Sequence, residues 1–401
     1  MDNKEYLLAS RLRAMSESAT IKMAQMARDL KAQGKDVISL SLGEPDFDTP
    51  EFIKNAAKSA LDEGYTKYPP VPGLLELREA IRDKFKRDND LDYSINEIVV
   101  SNGAKQSIAN VCMALLEEGD EIIIFSPYWV SYIEIVKMTG ATPVILHAGI
   151  DQDFKVTAEQ LESAITDRTK LVLFSSPCNP TGSVFSKEEL TAIADVVAEH
   201  KDVFIISDEI YEYITFEGKP VSIGSLASAG NRTITINGFS KGFAMTGWRL
   251  GYMGAPRWIA EACTKIQGQF TSGAASFSQK AAVDALRHPL DATNEMRDAF
   301  HKRRDLMISW LKDVPGFILN TPPGAFYLFP DVSALFGKEY QNHKITDADA
   351  LSIFLLEVAN VAVVSGEAFG ASECIRLSYA ASEDELREAC KRITEACKLL
   401  R

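Results

Sequence analysis

Several features that would direct a functional reading elsewhere are missing from this chain. The six cysteines, at 112, 178, 263, 374, 390 and 397, form no C-x-x-C pair, which removes support for zinc sites and dithiol redox motifs. They are expected to be reduced, mostly buried thiols of an intracellular protein. Strongly apolar runs stop after a few residues, as at 122–125 and 171–174, far short of the roughly 20 needed to cross a bilayer. The N-terminal stretch carries early acids and no apolar segment of the secretory kind. A basic excess is absent too: 43 Lys and Arg face 56 Asp and Glu, a net charge of −13, which argues against a nucleic-acid-binding face. No tandem repeat or low-complexity tract is visible, which argues against solenoids and propellers. No G-x-G-x-x-G follows the first strand, against a nicotinamide dehydrogenase. A soluble cytoplasmic protein, without metal, membrane or nucleic-acid partner, is the expectation.

What is present is an ordinary globular composition, 46% hydrophobic and 25% charged over 401 residues, enough for about two to three domain-sized units. Strand patterns at 97–101, 121–125, 171–175, 203–207 and 233–237 alternate with helical patterns at 103–116, 128–139 and 186–200. Ser186 with Glu189 three residues on is a capping-box signature. Such β–α alternation predicts an α/β fold with a mostly parallel sheet covered on both faces. The last third reads differently: a long charged helix over 292–314, strands at 324–329 and 376–379, and an amphipathic helix over 382–400. The expected division is a large unit, 46–300, and a small α+β unit built from 1–45 and 301–401.

Open parallel sheets bind ligands at the carboxyl ends of their strands, so the residues after each strand matter most. After the fourth strand comes Asp208-Glu209-Ile210-Tyr211, and after the fifth Gly238-Phe239-Ser240-Lys241-Gly242. An acid and a lysine there could be a plain ion pair. Small residues around Lys241, however, mark a place where backbone approaches something closely, and Arg249 eight residues on follows Gly247-Trp248. The loop Ser101-Asn102-Gly103-Ala104-Lys105 opens a helix whose first N–H groups lack internal partners, a fitting cradle for a phosphate. The turn Ser176-Pro177-Cys178-Asn179-Pro180-Thr181-Gly182 brings an amide to the same edge, although Asn in a turn is ordinarily structural.

Taken together these segments resemble the class I aminotransferases, pyridoxal-phosphate enzymes of fold type I. The resemblance rests on Ser240-Lys241-x-x-Ala244-Met245-Thr246-Gly247-Trp248-Arg249-x-Gly251-Tyr252, Asn179-Pro180-Thr181-Gly182, Ser207-Asp208-Glu209-Ile210-Tyr211 and Arg376-Leu377-Ser378-Tyr379. Gly43-Glu44-Pro45-Asp46-Phe47, Tyr68-Pro69-Pro70-x-x-Gly73, Ser126-Pro127-Tyr128-Trp129 and Thr271-Ser272 extend it in the family's order. It implies a homodimer, with Lys241 attaching pyridoxal 5′-phosphate and moving the proton of the substrate α-carbon. Asp208 would face the pyridine nitrogen, Tyr211 and Asn179 the phenolic oxygen, and Trp129 the ring face. Gly103, Ala104, Lys105, Ser240 and Arg249 would hold the phosphate, with Tyr68 and Ser272 reaching it from the other subunit. Many members carry a serine three residues before the lysine; here that position is Gly238. Arg376 would take the substrate α-carboxylate, helped by Asn179, Gly43 and Trp129, so that a few buried guanidinium groups outweigh an acidic exterior.

Lys105 and Thr20 match positions used for the distal carboxylate in the bacterial-type subgroup, Iγ or Ib, of the aspartate aminotransferases. The implied reaction is ping-pong transfer of the amino group of L-aspartate to 2-oxoglutarate. The alternatives are the same transfer on prephenate, aromatic or neutral amino acids, or a lyase or synthase reaction on this scaffold. A non-catalytic regulator would be expected to lack Lys241 or Asp208, and both are present.

Overall fold

A computed structural model describes residues 7–401; the first six, on which the expectations of a small unit from residue 1 and of a non-secretory start partly fall, lie outside the described residues. Seven strands form the central sheet. From one edge to the other they are Ile98–Ser101, Gly251–Gly254, Thr233–Gly238, Phe204–Asp208, Thr169–Ser175, Glu121–Ser126 and Thr142–His147. Gly251–Gly254 runs antiparallel to both neighbours and the other pairs are parallel. The carboxyl ends of six strands and the start of the seventh therefore share one edge.

The central strands are near-continuous apolar runs because both sheet faces are covered. Ile122, Ile124, Leu171 and Leu173 pack with Ile108 and Val111 of the helix Ala104–Leu115 on one face. Ile123, Val172 and Ile205 pack with Leu190, Ile193 and Val197 of the helix Lys187–Ala198 on the other. Each fully buried branched side chain contributes about 1.5–3 kcal/mol. Ser186 caps the second helix in a capping box with Glu189. The strands expected in this sheet are present to within two residues at each end. Two more were not legible: Thr142–His147 is a half-exposed edge strand containing Pro143, and Gly251–Gly254 is four residues with a glycine at each end.

The C-terminal part holds a three-stranded antiparallel sheet of Val364–Ser365, Ile375–Ser378 and Tyr327–Leu328. The helices Asp291–Leu311 and Glu383–Cys397 contribute Phe300, Met307, Leu386 and Ile393 to one core with it. Ile38–Ser39 pairs in parallel with Val361–Ala362, so an early segment joins this part. The strand expected over 324–329 shortens to two residues because Ala325 takes a positive φ of 56°. Gly324 and Ala325 donate instead to the carbonyls of Gly182 and Ile214, tying this loop to the site. The helix expected from 128 starts at Ser131; the Tyr128 N–H bonds the Phe369 carbonyl at 3.0 Å, which holds 128–130 as a turn across the strand edge. All six cysteines are buried and unpaired. Among the described residues no helix is long and apolar enough to cross a membrane.

Candidate active site

At the shared strand edge lies a cavity of about 290 Å³. Its lining includes Lys105, Lys241, Arg249 and Arg376 against a single carboxylate, Asp208. Four cations around one acid make this an anion site inside a net acidic protein, because short-range charges outweigh a screened exterior.

Each charge is set by local structure. Lys241 follows the strand Thr233–Gly238, and its Nζ donates to the carbonyl of Gly43. It forms no ion pair among the described residues. Burial, then the guanidinium of Arg376, push its amine down to about 8, so roughly a tenth of it is neutral at pH 7. Asp208 ends the neighbouring strand and is buried. Its Oδ2 accepts from the Tyr132 hydroxyl at 2.6 Å and its Oδ1 from the Ile210 N–H at 3.3 Å. Burial still pushes the carboxyl up to about 6, as expected of an acid awaiting a cationic partner.

Arg376 is 2% exposed. Its Nη1 donates to Asn179 Oδ1 at 2.8 Å and its Nη2 to the Ser41 carbonyl at 2.7 Å. Its buried Nε has no partner among the described residues, an open donor next to the cavity. Gly103 caps the helix Ala104–Leu115 with a φ of +87°, and a Cβ there would meet Arg249 Nη2 at 2.6 Å. A Cβ on Gly251 would run into the Ala104 nitrogen. Both glycines keep this helix start open for backbone N–H donors.

The matching family model, aminotransferase class I and II, spans residues 35–393. The chain belongs to this family. It is 46% identical over 393 residues to the aspartate/prephenate aminotransferase of Cereibacter sphaeroides, covering 97% of this chain and 98% of that one. It is 45% identical over 394 residues to the aspartate aminotransferase of a Bacillus species, covering 98% and 99%. Its fold matches the crystal structure of the Rhizobium meliloti aspartate aminotransferase with a TM-score of 0.95 at 43% identity, over 98% and 99% of the two chains. The Thermus thermophilus aspartate aminotransferase with maleate matches with a TM-score of 0.92 at 41% identity, over 97% and 99%. An α/β enzyme of the class I aminotransferase kind, with a mostly parallel central sheet, is what the sequence motifs implied.

Most residues singled out by sequence converge on the cavity. Gly43, Ala104, Lys105, Trp129 and Asn179 line it, as do Asp208, Tyr211, Ser240, Lys241, Arg249 and Arg376, together with Thr20. Gly103 sits just behind, at the helix cap. Tyr68 and Ser272 are outside it in this chain, and Tyr68 is 93% exposed. Arg249 departs from the buried guanidinium expected: it is exposed at the rim, because it follows a 3-10 turn in the left-handed region, with φ 53°. It still folds back, its Nη1 donating to the Thr246 carbonyl at 2.9 Å. Lys105 is also exposed, with its Nζ 4.8 Å from the centre of the Trp129 ring; partial burial and then Arg249 lower its pKa. Sequence reasoning misses Tyr132. Its only signal is its place three residues beyond Trp129, which puts both on one turn of chain.

Proposed function

We propose that this enzyme transfers the amino group of L-aspartate to 2-oxoglutarate, with pyridoxal 5′-phosphate as its cofactor. The observation that carries the reading is Lys241: an amine withdrawn from solvent with no carboxylate partner, lowered to about 8, between Asp208 and Arg376 in a cation-rich cavity. The residues fit the cofactor. The first-turn N–H groups of Ala104 and Lys105, with Arg249, suit a phosphate, and Ser240 adds a hydroxyl beside them. The buried Asp208 carboxyl suits a protonated ring nitrogen. Trp129 suits the ring face, and Tyr211 and Asn179 suit an oxygen substituent. When bound, this cofactor supplies an electron sink for negative charge at the substrate α-carbon.

Lys241 Nζ, neutral in part near pH 7, takes and returns the proton at the substrate α-carbon. Asp208 stays anionic through the Tyr132 hydrogen bond and a cationic neighbour. Arg376 holds the α-carboxylate, with Asn179 fixing its plane and the Gly43 backbone beside it. Lys105 at the rim, near Thr20, receives the distal carboxylate. The maleate of the Thermus structure, itself a dicarboxylate, supports this assignment. A second reading, transfer to prephenate, is favoured by the similarity to the Cereibacter aspartate/prephenate aminotransferase.

Tyr68 and Ser272 complete the phosphate site from a second copy, as a homodimer; the near-total exposure of Tyr68 supports this. The working units are 46–300 and, together, 1–45 with 301–401, and Gly43 and Arg376 of the second unit line the cavity beside Lys241 of the first. Six unpaired buried cysteines support a reducing, cytoplasmic setting. The test is a half-reaction: single amino acids are added to cofactor-loaded enzyme without an acceptor, and the visible absorbance is followed. Aspartate and glutamate are expected to discharge it at far lower concentration than alanine or phenylalanine. Equal potency of all four rejects the dicarboxylate assignment.

A further inference from the structure

One side chain outside the cavity touches three residues that line it. Tyr327 is fully buried in the strand Tyr327–Leu328. Its hydroxyl lies 2.7 Å from the Tyr211 hydroxyl. The Arg376 guanidinium carbon sits 4.6 Å from the centre of its ring, and 4.8 Å from that of Phe369. A Cβ on Gly43 would lie 2.6 Å from the Tyr327 oxygen, so the backbone that accepts from Lys241 rests against the same phenol. Tyr327 itself is absent from the cavity lining.

We propose that Tyr327 is a positioning residue that ties the substrate-carboxylate arginine to the tyrosine facing the cofactor. The inference rests on the cofactor reading above and adds a residue to it. Proton count decides the first role. A phenol has one O–H to give and lone pairs to accept with. Tyr327 and Tyr211 share a buried contact, and no other hydrogen-bond partner is seen for either hydroxyl among the described residues. If Tyr211 is to give its proton to a ligand oxygen in the cavity, its own oxygen must accept from Tyr327. The Tyr327 O–H thereby directs the Tyr211 proton toward the cavity and strengthens it as a donor, since chained hydrogen bonds polarise one another. The second role belongs to the ring. Arg376 has two donors engaged by Asn179 and Ser41 and a free Nε. Contact with the ring holds the guanidinium plane by cation–π attraction, so that a carboxylate meets a donor edge already oriented.

The two roles separate in two variants of the cofactor-loaded enzyme. Tyr327→Phe keeps the ring and loses the O–H. A weaker Tyr211 donor leaves more negative charge on the cofactor oxygen, which then holds the proton of the lysine linkage more tightly. The pH midpoint of the visible absorbance change is expected to rise by about half a unit, with KM for aspartate within about twofold of the parent. Tyr327→Leu removes both, and is expected to add about a tenfold rise in KM with a smaller change in kcat. An unmoved or lowered midpoint in Tyr327→Phe, or an unchanged KM in Tyr327→Leu, overturns the proposal while the cofactor reading stands. A parent enzyme with no lysine-linked visible band overturns both.

Discussion

Lys84 and Lys241 stand on different elements of this molecule and are treated in opposite ways. Lys84, on the helix Leu75–Asn89, is 0% exposed. It forms an ion pair with Glu212 and donates to Asn89 Oδ1 at 2.6 Å. Asn89 in turn donates to Glu212 Oε2 at 2.8 Å. Lys241 has no carboxylate in contact and rests on a backbone carbonyl; burial and then Arg376 lower it, against smaller opposing pulls from Glu44 and Asp208. Lys84 is fully buried and Lys241 partly so; the difference that matters is the partner. A buried charge that is paired is structural, whereas an amine left beside other cations is made nucleophilic. One short segment serves both arrangements. Asp208 and Tyr211 line the cavity. Glu209 and Glu212 bond the Asn89 side of the sheet, and burial pushes Glu209 up to about 8.

Substitutions should make that contrast sharper or break it. The largest effect is expected at Lys241: Lys241→Ala lowers kcat by about 10⁴-fold or more, with a fold intact by circular dichroism. Lys84→Met should do the reverse. Removing one member of a buried pair costs about 3–5 kcal/mol in denaturant unfolding, while kcat per folded enzyme stays within about threefold. Adding Glu212→Gln to it should recover part of the lost stability, because the stranded carboxylate is gone. A Lys84 variant that is stable but inactive would end the distinction. At the rim the effect is smaller and selective. Lys105→Ser is expected to raise KM for aspartate about tenfold, leaving kcat/KM for phenylalanine within about twofold.

The large sheet was legible because its central strands are buried on both faces and carry apolar, β-branched runs such as Ile122-Ile123-Ile124. Thr142–His147 was hidden by its half-exposed edge position. Gly251–Gly254 was hidden by glycines needed for close packing, Gly251 against Ala104 and Gly254 against the Tyr93 ring. The cavity lining was legible where a charged or amide residue follows a strand end, as with Asp208, Lys241 and Asn179. Supporting contacts were not. Tyr132 bonding Asp208, and Tyr327 lying under Arg376, depend on segments far apart in sequence that meet only in the fold. The exposure of Arg249 was equally out of reach, since it follows from one backbone dihedral.

The proposal that Lys241, an amine lowered to about 8, binds the aldehyde is tested most directly by its own titration. Cofactor-free protein is mixed with pyridoxal phosphate across a pH series, trapped with borohydride, and the modified residue is located by mass spectrometry. Protonated amine does not attack, so below its pKa the attachment rate should climb about tenfold per pH unit. The expected result is a label on Lys241 and a rate that levels off above about 8. A label on another lysine, or a rate still climbing toward the ordinary lysine value of 10.5, would contradict it.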